Sequence, residues 1–436
     1  MLRINELVFY RDREGDILGA VAELQKKAAL AADSAQLRQE CVREYCSLMR
    51  VMTETAENYG FSGNVWHSFL TYYLVYHENA YSRAHEIREN VPGGINPIAM
   101  HDFEIFRELF SYDFADIESC LGVSLYRMAA DYEFGGDDRR LASRRIRDRI
   151  EMLSLRLASS TSTDDFKKNV DEFYRDFGCG KFGLHKAFRI IHNEGAGMRI
   201  VPITNIAHVK LDDLIGCEIQ KKKLRENTES FLAGRRANNC LLFGDAGTGK
   251  SSSIKGILNE YYEQGLRIIE VYKHQFRDLV DVLDQIKNRN YRFIIYMDDL
   301  SFEDFETDYK YLKAVIEGGL EKKPENVLIY ATSNRRHLIR ENYEDKEGAI
   351  RSDMHTSDTV QEKLSLAYRF GVTIYFPAPA KKEFQRILKG ICEAEGLAID
   401  EKRLFEEANA WELSHGGRSG RSARQFVDHL LGTMEE

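Results

Sequence analysis

The chain has 436 residues, 43% hydrophobic and 30% charged, with a formal net charge of −9. That suits an ordinary globular chain with room for two or three domains, and the acidic balance argues against a protein dominated by nucleic-acid binding. No apolar run approaches the ~18 residues of a membrane span, and the charged start MLRINELVFYRDREGD does not read as a signal peptide, so the expected location is cytoplasmic.

Residues 1 to about 200 read as a mainly helical domain whose sequence names no role. Leu18 to Asn58 follow the helical period, and Trp66, Phe69, Tyr73 and Tyr76 stripe the next helix, a spacing that usually marks core. The seven cysteines form no C-x-x-C pair and no zinc spacing. Cys41 and Cys46, the closest two, point different ways on a helix at roughly 100° per residue. Cys41 shares a face with Tyr45, Leu48 and Met52 and is predicted as a small core residue. NVPGGINP (90–97) and SSTSTDD (159–165) are breaks, the second a linker with a helix N-cap.

Arg139, Arg140, Arg144, Arg145, Arg147 and Arg149 form a basic cluster, with Asp137, Asp138, Asp148 and Glu151 interleaved. The expectation is a salt-bridged, exposed helix face; the alternative is a surface for nucleic acid or an acidic partner. GCGKFGLHKAF (178–188) carries glycines and a lysine without a preceding apolar strand, and reads as a turn leading into a helix.

From about 201 to 377 strands and helices alternate, as a parallel sheet requires. Strands are predicted at 240–243, 267–272, 293–297, 327–331 and 372–376. Phe276, Leu279, Leu283 and Ile286 mark one intervening helix, and Tyr309, Leu312 and Ile316 another. Gly244, Asp245, Ala246, Gly247, Thr248, Gly249, Lys250 and Ser251 fit the pattern G-x-x-x-x-G-K-[ST] without substitution. Glycines let successive N–H groups curl inward around phosphate oxygens. A helix predicted over 251–262, with Ser252 in its first turn, adds its N-terminal amides and dipole. Lys250 is placed to reach the β- and γ-phosphates of ATP, and the Ser251 hydroxyl to bind Mg²⁺.

Hydrolysis needs a metal and an oriented water as well as a cradle. RFIIYMDDL (292–300) closes an apolar strand on Asp298 and Asp299: the first is assigned to Mg²⁺ and the second to the attacking water. NVLIYATSN (326–334) ends a neighbouring strand, which puts Asn334 beside those acids and the γ-phosphate if the two strands pair. SFEDFETD (301–308) reads as solvated surface, and His355, in the polar stretch 347–363, as a loop histidine. After FPAPA (376–380) the pattern is helical to the end, with a first helix at 381–395 and a small helical domain over 378–436.

These motifs resemble the AAA+ ATPases. LDDLIGCE (211–218) looks like that family's segment before the first strand, which implies that Ile215 and Gly216 flank the adenine. EKLSLAYRFG (362–371) resembles the helix ending in an arginine finger, making Arg369 the candidate, with Arg335, Arg336, Arg340 and Arg351 also available. GGRSGRSARQFVDHL (416–430) resembles the lid helix that bears the second sensor, assigned to Arg421 with Arg424 competing. More closely, these phrases resemble a bacterial AAA+ family catalogued only as a domain of unknown function, from about residue 170 onward.

The resemblance implies an α/β P-loop core with a C-terminal helical lid behind the helical N-terminal domain. It also implies a homo-oligomer with sites between subunits, acting on an unknown protein or nucleic-acid partner. Asp299 departs from the family's usual glutamate and is one methylene shorter. The alternative reading is therefore a switch or loader that binds ATP and turns it over slowly; no translocating pore loop is evident either.

Overall fold

A computed structural model describes residues 2–11, 17–31, 34–89, 91–136, 144–193, 197–302, 309–317, 323–334, 338 and 366–434. The readings at 137–140, 303–308, 335–337 and 347–363, and at Arg340, lie outside the described residues. The chain divides into two compact units, Met1–His185 and Lys186–Glu436.

The first unit is helical, as expected. The period running from Leu18 to Asn58 is split between helices Ile17–Leu30 and Ala35–Tyr59, and the second opens on Ser34, whose hydroxyl accepts the Leu37 N–H. The aromatic stripe lies on the helix Val65–Tyr76, and Trp66 and Phe69 are buried while Tyr76 is exposed. Trp66 Nε1 donates to the Leu109 carbonyl at 2.8 Å, satisfying the one polar atom of a core indole. Cys41, Tyr45, Leu48 and Met52 are buried together, while Cys46 is exposed. The predicted linker supplies its cap: Ser162 accepts the Asp165 N–H at 3.1 Å ahead of the helix Thr163–Phe177.

Among the described residues, three arginines of the cluster are more inward than an exposed face, while Arg144 is exposed. On the helix Arg144–Ala158, Arg145, Arg147 and Arg149 are half-buried. Arg145 donates to the Leu184 carbonyl at 2.9 Å, Arg147 to Asp148 at 2.9 Å, and Arg149 lies over the Phe177 ring at 4.0 Å.

The second unit is built on a seven-stranded sheet: β1 (Ala187–Asn193), β2 (Gly197–Pro202), β3 (Cys240–Gly244), β4 (Leu266–Glu270), β5 (Arg292–Met297), β6 (Val327–Ser333) and β7 (Val372–Phe376). Their order is β2-β1-β4-β5-β6-β3-β7. β1 and β2 form an antiparallel hairpin, and every other neighbouring pair is parallel.

That hairpin differs from the sequence reading, which kept 187–202 in the helical block and read 178–188 as entering a helix. A five-residue helix, Gly180–Leu184, leads instead into β1. Phe188, Ile190, Ile200 and Val201 flank the glycine-bearing stretch NEGAG (193–197), which is the strand–turn–strand signal that composition alone obscured. The five predicted parallel strands are β3 to β7. β4 begins and ends earlier than expected, and 273–278 is a 3-10 turn ahead of the shorter helix Leu279–Ile286.

The C-terminal helices Lys381–Ala394, Glu401–Ser414 and Gly420–Met434 carry their own core, centred on Phe384, Leu388, Leu404, Phe426 and Val427. The architecture is thus an α/β P-loop core with a helical lid and a mainly helical N-terminal unit, as the AAA+ resemblance implies. Among the described residues no helix is long and apolar enough to cross a membrane.

Candidate nucleotide site

The site lies at the C-terminal ends of β3, β5 and β6, where open α/β sheets bind ligands. β3 runs straight into the loop. Gly244 has φ +137, and a Cβ there would stand 2.0 Å from the Phe376 carbonyl oxygen of β7, so only glycine lets the chain turn beside that strand. Gly247 has φ +74 and faces Ser419 and Arg421 of the lid, 2.9 Å from where its Cβ would be. Thr248 Oγ1 donates to the Asp245 carbonyl at 2.8 Å and closes the curl. The following helix spans Lys250–Tyr261, starting one residue before the predicted position and ending one before it. Its first amides lack intrahelical acceptors.

Lys250 is buried, and its Nζ donates to the carbonyls of Gly244 (2.8 Å) and Asp245 (2.6 Å) and to Asn334 Oδ1 (3.0 Å). Burial lowers its pKa, against the pull of Asp245, Asp299 and Asp298. Asp245 Oδ2 accepts the Ala378 N–H at 3.0 Å, tying the loop to the start of the lid.

β5 and β6 are neighbours, with Met297 opposite Ala331, so the acids and Asn334 converge. Ser251 Oγ donates to Asp298 Oδ1 at 2.8 Å, and Thr332 Oγ1 donates to the same oxygen at 2.6 Å. Burial disfavours the charged Asp298 carboxylate, but the hydrogen-bonding groups around it, the Thr332 and Ser251 hydroxyls among them, outweigh burial and hold its pKa below the ordinary value. Asp299 has φ +50, in the left-handed region. Its N–H donates to Thr332 Oγ1 at 3.0 Å and its Oδ1 accepts Asn334 Nδ2 at 2.8 Å, which fixes the turn from both sides. Thr332 thus orders both acids; the sequence reading places the polar strand end 332–334 beside them but gives the role to Asn334, which shares the face of Thr332.

The remaining candidates spread around this centre. Ala246 is exposed on the loop, and Ser252 is half-buried in the first helical turn. Ile215 packs against the lid helix at Gly390, and Gly216 (φ +83) lies against Glu383 of the same helix. Arg421 donates its backbone N–H to the Gly247 carbonyl at 3.3 Å, whereas Arg424 is paired with Glu395 (2.7 Å) and Asp428 (2.9 Å). Arg369 ends a short turn before β7, and Val372 is level with Cys240 while Phe376 is level with Gly244. Arg369 therefore sits at the opposite end of the sheet from its own phosphate loop, roughly 13 Å of strand away at ~3.3 Å per residue.

The residues fit ATP with Mg²⁺. The left-handed glycines and the buried ammonium form an anion cradle. One hydroxyl and one carboxylate suit a hard cation that takes its other ligands from phosphate and water. Among the described residues no cluster of three or more His, Cys, Asp or Glu forms a cage for a metal held by protein alone.

Among solved structures, the chain is similar to a RuvB point mutant from Thermotoga maritima at 18% identity and TM-score 0.37, covering 52% of this chain and 67% of that one. It is also similar to the Thermotoga maritima RuvB Holliday junction branch migration motor at 16% identity and TM-score 0.32, covering 51% of this chain and 72% of that one. No curated protein matches. A family model described as "Protein of unknown function (DUF815)" matches residues 184–434, which span the whole sheet, the phosphate loop and the lid, and the chain belongs to that family.

Proposed function

We propose that the chain is an AAA+ type ATPase that couples Mg²⁺-dependent ATP hydrolysis to the remodelling of a macromolecular partner. The observation that carries this is the continuous set of contacts linking Lys250, Asn334 and Asp299 beside Ser251, Asp298 and Thr332. In that set, Lys250 and the loop amides hold the phosphates, Ser251 and Asp298 hold the metal, and Asn334 reads the γ-phosphate. Asp299 orients the attacking water and Arg421 supplies positive charge from the lid. Bound Mg²⁺ would neutralise charge on the phosphate oxygens. Ile215 and Gly216 flank the adenine.

Arg369, at the far end of its own sheet, suits action on a neighbouring subunit's site in a homo-oligomer. The test is mixing. Arg369→Ala keeps its own acids and Asp299→Asn keeps its own arginine; each alone should be slow, and activity should return when they co-assemble. No recovery in verified mixed oligomers would remove the shared site.

A second reading is a nucleotide-gated switch with slow turnover. It draws on the bond that already engages the Asp299 carboxylate with Asn334. Turnover that stays slow across DNA, RNA and protein additions would favour it.

A further inference from the structure

Tyr296 on β5 and Tyr330 on β6 are cross-strand partners, both in the core cluster under the helix Lys250–Tyr261. Buried tyrosine hydroxyls normally find hydrogen-bond partners. Tyr330 does, meeting Asn227 Nδ2 at 2.9 Å and Thr228 Oγ1 at 2.9 Å. Tyr296 is 5% exposed, yet its hydroxyl has no hydrogen-bond partner.

Its surroundings say what is missing. Tyr296 lies two residues before Asp298, so strand alternation aims both toward the same face. The groups that act on its hydroxyl are Asp298, Ser251 and Thr332. Ser251 and Thr332 direct their hydroxyl hydrogens to Asp298 Oδ1, while the Tyr296 hydroxyl stands beside the same carboxylate without meeting hydrogen-bond geometry to either oxygen. A strand interior needs no polar atom here, since phenylalanine would fill the same volume.

We propose that the Tyr296 hydroxyl is a positioning group for hydrated Mg²⁺, completed by a metal-bound water next to Asp298. Mg²⁺ dehydrates reluctantly and keeps several waters when held by one or two carboxylates and phosphates, and such a water supplies the partner the hydroxyl lacks. The inference rests on the nucleotide reading of the site and adds a residue that neither the phosphate-loop pattern nor the paired acids contain.

Tyr296→Phe removes only the hydroxyl, and its effects should have opposite signs. Without ligand the variant should melt at the wild-type temperature or slightly above, because an unpartnered buried polar atom is gone. With a non-hydrolysable ATP analogue, the Mg²⁺ concentration at half-saturation should rise about five- to tenfold, the scale of one hydrogen bond. Analogue binding in EDTA should match the wild type. An unchanged Mg²⁺ requirement, beside a wild type that binds the analogue in a Mg²⁺-dependent way, would overturn the inference alone. A lower melting temperature without ligand would also overturn it, showing a structural role. A wild type with no Mg²⁺-dependent binding would bring down the nucleotide reading and the inference with it.

Discussion

Asn334 holds Asp299: its side-chain N–H donates to the carboxylate at 2.8 Å, while its own oxygen accepts the Lys250 ammonium at 3.0 Å. One amide thereby joins the end of β6 to the phosphate loop and to the turn after β5. Asn334→Ala should leave nucleotide affinity within a few-fold of wild type, because the cradle and Lys250 remain. It should lower kcat about 10²-fold, the scale for removing one preorganised donor from a reacting centre. Titration calorimetry with the analogue and steady-state phosphate release separate the two effects.

The short carboxylate at Asp299 has a backbone reason. At φ +50 the residue occupies the left-handed region, which aspartate and asparagine visit more readily than longer side chains. Asp299→Glu, which adds one methylene to the side chain, should destabilise the protein by about 1 kcal/mol. Asp299→Asn should be nearly neutral. Denaturant midpoints of the two variants test this.

The convergence of the candidate site residues was legible where glycines and charges recur at fixed spacing. The loop from Gly244 to Ser251, the two acids and Asn334 all meet as the sequence implies. Tyr296 was not legible, because a tyrosine in an apolar strand reads as ordinary β-propensity, and within the polar end 332–334 the spacing did not single out Thr332. The hairpin 187–202 was hidden for a related reason: β1 carries Arg189, His192 and Asn193 among its apolar residues, and β2 is a half-exposed edge, so neither gives a long apolar run. Arg421 and Arg424 stand three residues apart in sequence, and only the lid's placement over Gly247 separates them.

Gly390 sits inside a helix, where a Cβ would stand 1.8 Å from Ile215 Cδ1. Ile215 must turn its terminal methyl aside, so Gly390→Ala should cost about 1 kcal/mol through overpacking. It opposes a helix-propensity gain of about 0.8–1 kcal/mol. Ile215→Val shortens the clashing side chain, so the double variant should recover most of the loss. A double-mutant cycle on melting temperature measures the coupling.

Lys323 donates to Asn239 Oδ1 at 2.6 Å, and burial pushes its pKa from 10.5 down to about 8. The unfolded chain thus binds a proton between roughly pH 8 and 10.5 that the folded chain has released, and stability rises with pH across that window. Below about pH 8 the buried charge costs on the order of 3 kcal/mol. Lys323→Met should be more stable at pH 7 and lose that part of the slope, while Asn239 Oδ1 keeps its bond to the Ile329 N–H at 2.9 Å. Chemical denaturation at pH 7, 8, 9 and 10 reads the difference between the two proteins.

The central claim is that this site binds ATP with Mg²⁺ and breaks it. Single-turnover phosphate release from radiolabelled ATP, with wild type, Lys250→Ala and Asp299→Asn in molar excess, tests it most directly. Wild type should release phosphate only with Mg²⁺, and Asp299→Asn should retain intact ATP on the protein. Lys250→Ala should retain none, having lost about 10²-fold or more in affinity with its charge-assisted bonds. Release from Lys250→Ala at the wild-type rate, or no bound nucleotide on any of the three proteins, would contradict it.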